Sequence, residues 1–377
     1  MIKSVMLKNF RGLTTLEIPL SSVTMLTGVN GVGKSSVLEG LYCLFSQTRL
    51  DVSHLPRYNK SLGYTINRAS NMPIVYTSSH NYNYNLFWDE CPSYGKNDCY
   101  VEAISDNNLV WSWEYKRAKL SDLDRRIFEN NPLQVDASSE FALWNWQTRG
   151  KIINNETHQV QDVNKSFQRA QLLSQDGGLY LLPIEMQYMS ICQYIDFASI
   201  RLHPQKLSFQ TAKQLTKALR IINPSITDVR LKDVQSGLSV ILDDSVEVSL
   251  GAIGNGAVTW ASALIMILDV IEAVKNQQPE IPIIILVDEM GAGIHYSIIL
   301  DVWKFINEFR KQNCNIQFVF TSHSDDCIRA FCEAFLNQEE ASVIRLHQTS
   351  VEKQIVYNEY KKDVFAYIID GDWEVRG

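Results

Sequence analysis

The sequence predicts an α/β protein built on one parallel sheet and interrupted by a second, mainly β lobe. Three observations carry that reading. An apolar strand, VTMLTG (23–28), runs into the glycine-rich segment GVNGVGKSS (28–36) and from there into a helical pattern. The run IIILVDE (283–289) is continuously apolar up to its acidic end, as in strands covered on both faces. After residue 280 strands and helices alternate, the pattern of parallel β-α-β units.

Taken in order, residues 2–8 and 14–20 alternate about Gly12 and read as a hairpin opening a sheet. The helix from Lys34 places Val37, Leu38, Leu41, Leu44 and Phe45 on one face. From about 50 to 195 the character changes. That stretch holds Trp88, Trp111, Trp113, Trp144 and Trp146, and two β-like runs flank a turn at Asp106-Asn107. No heptad pattern persists through it, so it is not a long coiled coil. The expected division is a head from 1–49 and 205–377, with an inserted β-rich, aromatic lobe at 50–204. In the second half of the head, 207–224 reads as an amphipathic helix closed by Asn223-Pro224. Three short strands follow at 226–232, 238–243 and 246–250, then a glycine-rich loop (251–256) and an apolar helix to about 275. The remaining elements are a helix (297–310), a strand (315–320), a helix from Ser324 and two strands within 342–358.

Composition narrows the function classes. The 377 residues carry a formal charge of −7, which excludes binding nucleic acid through overall positive charge and leaves only local basic patches. The longest apolar run lies around 281–287, too short to span a bilayer, and the N-terminus lacks the apolar core of a signal peptide. Seven cysteines without a C-x-x-C pair argue against a zinc site or disulfide framework and for a reducing cytoplasm.

The segment 28–36 fits G-x-x-x-x-G-K-[ST] through Gly28, Gly33, Lys34 and Ser35. Backbone N–H groups of Asn30, Gly31, Val32, Gly33 and Ser36 are expected to cradle phosphates, with Lys34 supplying charge to the β- and γ-phosphates. The Ser35 hydroxyl is a ligand for Mg²⁺, and Asp288 closing its strand is the second metal-site oxygen, acting through water. The adjacent Glu289 would orient and deprotonate the attacking water, and His323, after NIQFVFTS, would reach the γ-phosphate from the same sheet edge. These residues predict ATP and Mg²⁺ as ligands.

Taken together, LKNFRGL near the N-terminus, the GxNGxGKS loop, the late hhhhDE strand and the TSH motif resemble ABC-type ATPase heads. The resemblance is to the RecF and OLD (overcoming-lysogenization-defect) branch of small prokaryotic AAA-type ATPases. It covers about 1–46 and 205–377 and implies a P-loop NTPase fold. It further implies that two heads sandwich two ATPs, with a signature loop of one facing the phosphate loop of the other. The matching stretch is VSLGAIGNGAV (248–258), so Ser249, Gly251, Gly254, Asn255 and Gly256 would face the partner's γ-phosphate. Apart from the resemblance, Arg11 is a candidate contact for nucleotide or nucleic acid because it lies near the phosphate loop in sequence.

There are departures. Arginine, common just after the second glycine of the signature loop, is replaced by Ala257, Val258 and Thr259, and MGAGIHY (290–296) lacks a second glutamate. The stretch after His323 is too short for the TOPRIM nuclease of full-length OLD proteins. The expected role is therefore a cytoplasmic dimeric or higher oligomeric ATPase controlling a separately encoded effector, a nuclease or toxin, in antiphage defence. Alternatives are a RecF-like DNA-repair ATPase and a non-hydrolysing ATP-bound scaffold. Lys116, Arg117, Lys119, Arg125 and Arg126, near Trp111 and Trp113, are the candidate nucleic-acid contacts, against the plainer reading of a solvated face. Gln134, Gln147, Gln187 and Gln193 compete for the family's Q-loop position.

Overall fold

The computed structural model describes residues 1–45, 96, 98–119, 144–154, 160–163, 171–172, 179–180, 192–198, 200, 207–233, 237–243, 245–274, 283–313, 315–350 and 353–371. The first half contains β1 (Ile2–Phe10), β2 (Leu13–Pro19), β3 (Val23–Thr27), α1 (Lys34–Phe45), β4 (Asp98–Ser105), β5 (Leu109–Lys119), β6 (Trp144–Asn154) and β7 (Val160–Val163). After it come β8 (Gln171–Leu172), β9 (Leu179–Tyr180), β10 (Cys192–Asp196), α2 (Phe209–Leu219), β11 (Ile226–Asp233), β12 (Gly237–Leu242), β13 (Glu247–Ser249), α3 (Leu250–Ile253) and α4 (Asn255–Val274). The last part comprises β14 (Ile283–Asp288), α5 (Tyr296–Gln312), β15 (Ile316–Thr321), α6 (Asp325–Ala334), β16 (Ala341–Gln348), β17 (Ile355–Tyr360) and α7 (Lys362–Asp370).

Two compact units emerge. The first comprises residues 1–2, 19–38 and 191–377, and the second comprises 3–18 and 39–190. The first is organised by a six-stranded sheet in the order β10-β14-β15-β3-β16-β17. Its first five strands pair in parallel and β17 closes the edge antiparallel to β16. Every residue of β3, β14 and β15 is buried, so these strands are covered on both faces, and Thr24, Thr27, Gln317 and Thr321 are buried along with their apolar neighbours. The aromatic core centres on Trp303, edge-on to Phe320 at 4.8 Å and to Phe331 at 5.1 Å. A three-stranded antiparallel sheet, β11-β12-β13, lies ahead of α4.

Local chemistry sets the helix ends. Ser208 caps α2 by accepting from Thr211 N, and Ser324 caps α6 by accepting from Cys327 N. The α2 helix stops at Leu219, earlier than the Asn223-Pro224 stop expected, because 220–222 turn and Arg220 Nε donates to Ile226 O at 2.7 Å. Where a loop was expected at 251–256, one helical turn (α3) is followed by a break at Gly254 (φ +133°) and then α4. Helix α4 is an exception to the expectation that no segment could span a bilayer. Its 18-residue stretch Asn255–Glu272 is long and apolar enough to cross a bilayer, but half of it is buried in this unit's core through residues such as Trp260, Leu264 and Ile265.

The second unit carries the sheet β2-β1-β4-β5-β6-β7. The expected β4–β5 hairpin is present, with Ile104 opposite Val110 and the turn closed by Asn108 N donating to Ser105 O. Trp113 packs on Phe10 (6.4 Å) and Trp111 on Phe45 (5.7 Å). The division thus differs from 1–49 plus 205–377 against 50–204. The β1–β2 hairpin joins the β4–β7 sheet, because strand partners are chosen by hydrogen bonding across the chain and not by sequence proximity. Conversely β10, expected in the inserted lobe, pairs with β14 and belongs to the parallel sheet.

Candidate nucleotide site

Strand β3 delivers the phosphate loop. Gly28, directly after it, takes φ +131°, and a methyl group there would lie 2.2 Å from the Leu346 carbonyl oxygen, so only glycine lets the loop leave the sheet beside β16. Lys34 and Ser35 open α1, where the first N–H groups of a helix are free to meet an anion. The Lys34 ammonium donates to Gly28 O at 2.8 Å and Val29 O at 3.1 Å, tying it to the start of the loop. Burial pulls its pKa below the ordinary lysine value, while the charges of Asp288 and Glu289 act in the opposite direction. The phosphate-loop lysine and the acidic pair, some 250 residues apart, therefore sense each other's charge in one fold.

The acidic pair ends β14. Asp288 is buried at 3 % exposure, whereas the Glu289 side chain is 47 % exposed. Both Asp288 oxygens are held: Tyr194 OH donates to Oδ2 at 2.8 Å, and the Thr321 hydroxyl donates to Oδ1. The same Thr321 oxygen accepts from Glu289 N at 2.9 Å, and Met290 N donates to Thr321 O at 2.8 Å. Those bonds hold Glu289 at φ +58°, left-handed backbone that a non-glycine residue enters at a cost of about 1–2 kcal/mol. His323, two residues past β15, has Nδ1 3.9 Å from Glu289 Oε2. The structure thus brings Lys34, Asp288, Glu289 and His323 together at the carboxyl ends of β3, β14 and β15, the edge where open α/β sheets bind ligands.

The donor set suits Mg²⁺. Ser35 and Asp288 offer hard oxygens, and among the described residues no group of three or more His, Cys, Asp or Glu forms a dedicated metal cage. Mg²⁺ is ordinarily held by one or two protein oxygens, waters and substrate phosphates. Ser35 and Asp288 would hold it here, and the ion would neutralise charge between the β- and γ-phosphates.

The signature stretch is split. Ser249 ends β13 without a side-chain cap bond, Gly251 is exposed on α3, and Asn255 and Gly256 begin α4. A methyl on Gly256 would meet Gly293 O at 2.7 Å, so this glycine packs within its own chain against the segment after Glu289. A methyl on Gly254 would meet nothing within 4 Å, and one on Gly251 would come no nearer than 3.7 Å to Ser249 Oγ.

Other expected residues fare differently. Arg11 is buried at 5 % exposure with its Nε 2.5 Å from Glu39 Oε2, so its guanidinium is engaged inside the second unit and is not offered to a ligand. Lys116, Arg117 and Lys119 lie on β5, while Arg125 and Arg126 fall outside the described residues. Of the glutamines, Gln193 is on β10 with its amide donating to Tyr194 O at 2.9 Å, and Gln147 is on β6; Gln134 and Gln187 lie outside the described residues. Tyr194 and Thr321 also belong to the cluster at the sheet edge, through their bonds to Asp288. Thr321 stands in the TSH motif and was readable as a neighbour of His323; nothing local marks Tyr194.

Residues 1–171 match the family described as the AAA ATPase domain, which takes in the phosphate loop but not Asp288, Glu289 or His323. No curated protein matches the chain. Among solved structures, the SMC head domain from Thermotoga maritima matches at 11 % identity and TM-score 0.42, covering 96 % of this chain and 99 % of that one. In its first 171 residues the chain is similar to an AAA ATPase domain, and its parallel sheet with a phosphate loop after β3 and an acidic pair after β14 is an α/β P-loop NTPase fold.

Proposed function

We propose that the protein is a Mg²⁺-dependent ATPase whose head closes on ATP as a dimer or higher oligomer and controls a separately encoded effector. The observation that carries the catalytic part is the convergence of Lys34, Asp288, Glu289 and His323 on one sheet edge. Lys34 binds the β- and γ-phosphates. Ser35 and Asp288 hold the metal. Glu289, half exposed beside His323, takes the proton of the attacking water as it approaches the γ-phosphorus, and His323 orients the γ-phosphate.

The assembly part rests on an open site. These residues approach the γ-phosphate from one head, and the exposed Gly251 and Asn255, with the half-buried Gly254 between α3 and α4, are chemically suited to close it from a second copy through backbone N–H groups. The effector, in an OLD-like antiphage role within the cytoplasm, is the reading favoured by the sequence resemblance. A non-hydrolysing scaffold is the second reading, favoured by the absence of another glutamate in 290–296. Steady-state phosphate release with Mg·ATP separates them. Wild-type turnover, lost in Lys34→Ala together with ATP binding and lost in Glu289→Gln with binding kept, supports the ATPase. Tight ATP binding without turnover in the wild type selects the scaffold.

A further inference from the structure

The buried partners of Asp288 carry a consequence for the metal. Tyr194 is fully buried on β10, one strand beyond β14, with its neighbour Ile195 opposite Val287 in the parallel register. Its hydroxyl donates to one oxygen of Asp288 at 2.8 Å, and Thr321, from β15 on the other side, donates to the other oxygen. Donors from the two flanking strands therefore fix the carboxylate plane between them. Each oxygen spends one acceptor direction on a protein hydroxyl, which leaves less electron density for direct ligation of a cation. Mg²⁺ gives up its waters reluctantly, so a carboxylate held in this way is suited to accept from metal-bound water.

We propose that Tyr194 and Thr321 are positioning residues that clamp Asp288 from both oxygens, so that it meets the metal of a bound nucleotide through water. The clamp sets how strongly the site depends on Mg²⁺. Thr321 adds a link, since the hydroxyl that donates to Asp288 also accepts the Glu289 N–H, so metal position and the backbone of the base are fixed by one oxygen. The inference rests on Asp288 being the metal-site carboxylate.

The test is calorimetric and independent of turnover: the affinity for a non-hydrolysable ATP analogue in Mg²⁺ divided by that in EDTA. Tyr194→Phe keeps the buried ring and removes only the hydroxyl. It is expected to lower that ratio at least fivefold while leaving the EDTA affinity within twofold of wild type. Thr321→Val should lower the ratio similarly, and Thr321→Ser, which keeps the hydroxyl, should restore it. The clamp is overturned if Tyr194→Phe and Thr321→Val both keep the wild-type ratio, or if the EDTA affinity falls as far as the Mg²⁺ affinity. A wild type whose analogue binding gains nothing from Mg²⁺, yet is abolished by Lys34→Ala, overturns the clamp and the metal role of Asp288 together and leaves nucleotide binding standing.

Discussion

Replacing Gly28 with alanine separates two costs that the structure assigns to that position. The first is backbone strain, because φ +131° is a region L side chains rarely enter, at about 1–3 kcal/mol. The second is collision, because the new methyl would sit 2.2 Å from the Leu346 carbonyl oxygen. That carbonyl cannot retreat easily. Leu346 is paired to Tyr357 on β17, and its neighbour Arg345 is paired to Thr27 on β3. Forcing atoms into such a packed place costs about 1–3 kcal/mol, so the total is about 4 kcal/mol. Gly31→Ala is the control. Gly31 also has positive φ (+82°), but a methyl there meets nothing within 4 Å, so it should cost only about 1 kcal/mol. Amide hydrogen exchange read on β3 and β16 reports the opening of this sheet without averaging over the second unit. The expected result is a gap of about 3 kcal/mol in protection between the two variants, with residual nucleotide binding surviving only in Gly31→Ala. If Gly28→Ala and Gly31→Ala are equally protected within about 1 kcal/mol, the close approach of loop and β16 is wrong.

Glu289→Gly should be more stable than Glu289→Ala by about 1 kcal/mol in urea unfolding, since only glycine occupies φ +58° freely; equal stabilities would mean the backbone there is unstrained. Neither variant should hydrolyse ATP at more than about a hundredth of the wild-type rate, provided Glu289 is the base. For closure in trans, Gly251→Trp is the suitable lesion, because Gly251 is exposed and a methyl there stays 3.7 Å from Ser249 Oγ, whereas substituting Gly256 would disturb its own chain at Gly293. A Lys34→Ala subunit mixed with a Gly251→Trp subunit retains one intact composite site, so the mixture should recover part of the activity absent from each alone. A dead mixture in which mixed dimers are demonstrated would remove Gly251 from the partner's site.

Burial pushes the thiols of Cys327 up to about 11 and Cys332 up to about 12. Their proton is retained in the folded chain when an unfolded thiol has already lost it, so stability is full below about pH 8.5 and falls above that by up to about 1.4 kcal/mol per pH unit for each thiol. Native-state alkylation at pH 8 followed by peptide mapping should spare both; labelling of Cys327 at the rate of the denatured chain would contradict its burial.

The parts of the site that could be read from the sequence are those where chemistry needs adjacent residues. GVNGVGKSS and the Asp288-Glu289 pair stand out because a phosphate cradle and a metal-plus-base pair, the roles proposed for them, are local constructions. His323 was legible from its place just after a buried strand. Tyr194 was not, because its role is created by β10 returning to pair with β14 across about 90 residues, and a tyrosine in a five-residue strand carries no mark of its partner. The same limit misplaced β1, β2 and β10 between the two units: alternation shows that a segment is a strand and is silent about which sheet receives it. Arg11 misled in the opposite way. A charge near a phosphate loop in sequence suggested a ligand contact, and Glu39, four positions into the part of α1 that follows Ser35, takes it instead.

The position of β3 has a bearing on synthesis at the ribosome. The strand that bears the phosphate loop is made within the first thirty residues, yet both of its neighbours, β15 and β16, are translated roughly 300 residues later. At about 5–20 residues per second the nascent loop waits on the order of 15–60 s before either flank exists. The strand VTMLT, buried along its whole length in the folded chain, therefore stays exposed until translation is nearly through β16. Rare-codon pauses placed after β3 is made and before residue 316 should lengthen that exposure and increase aggregation, while the same pauses within β1, before β3 exists, should not.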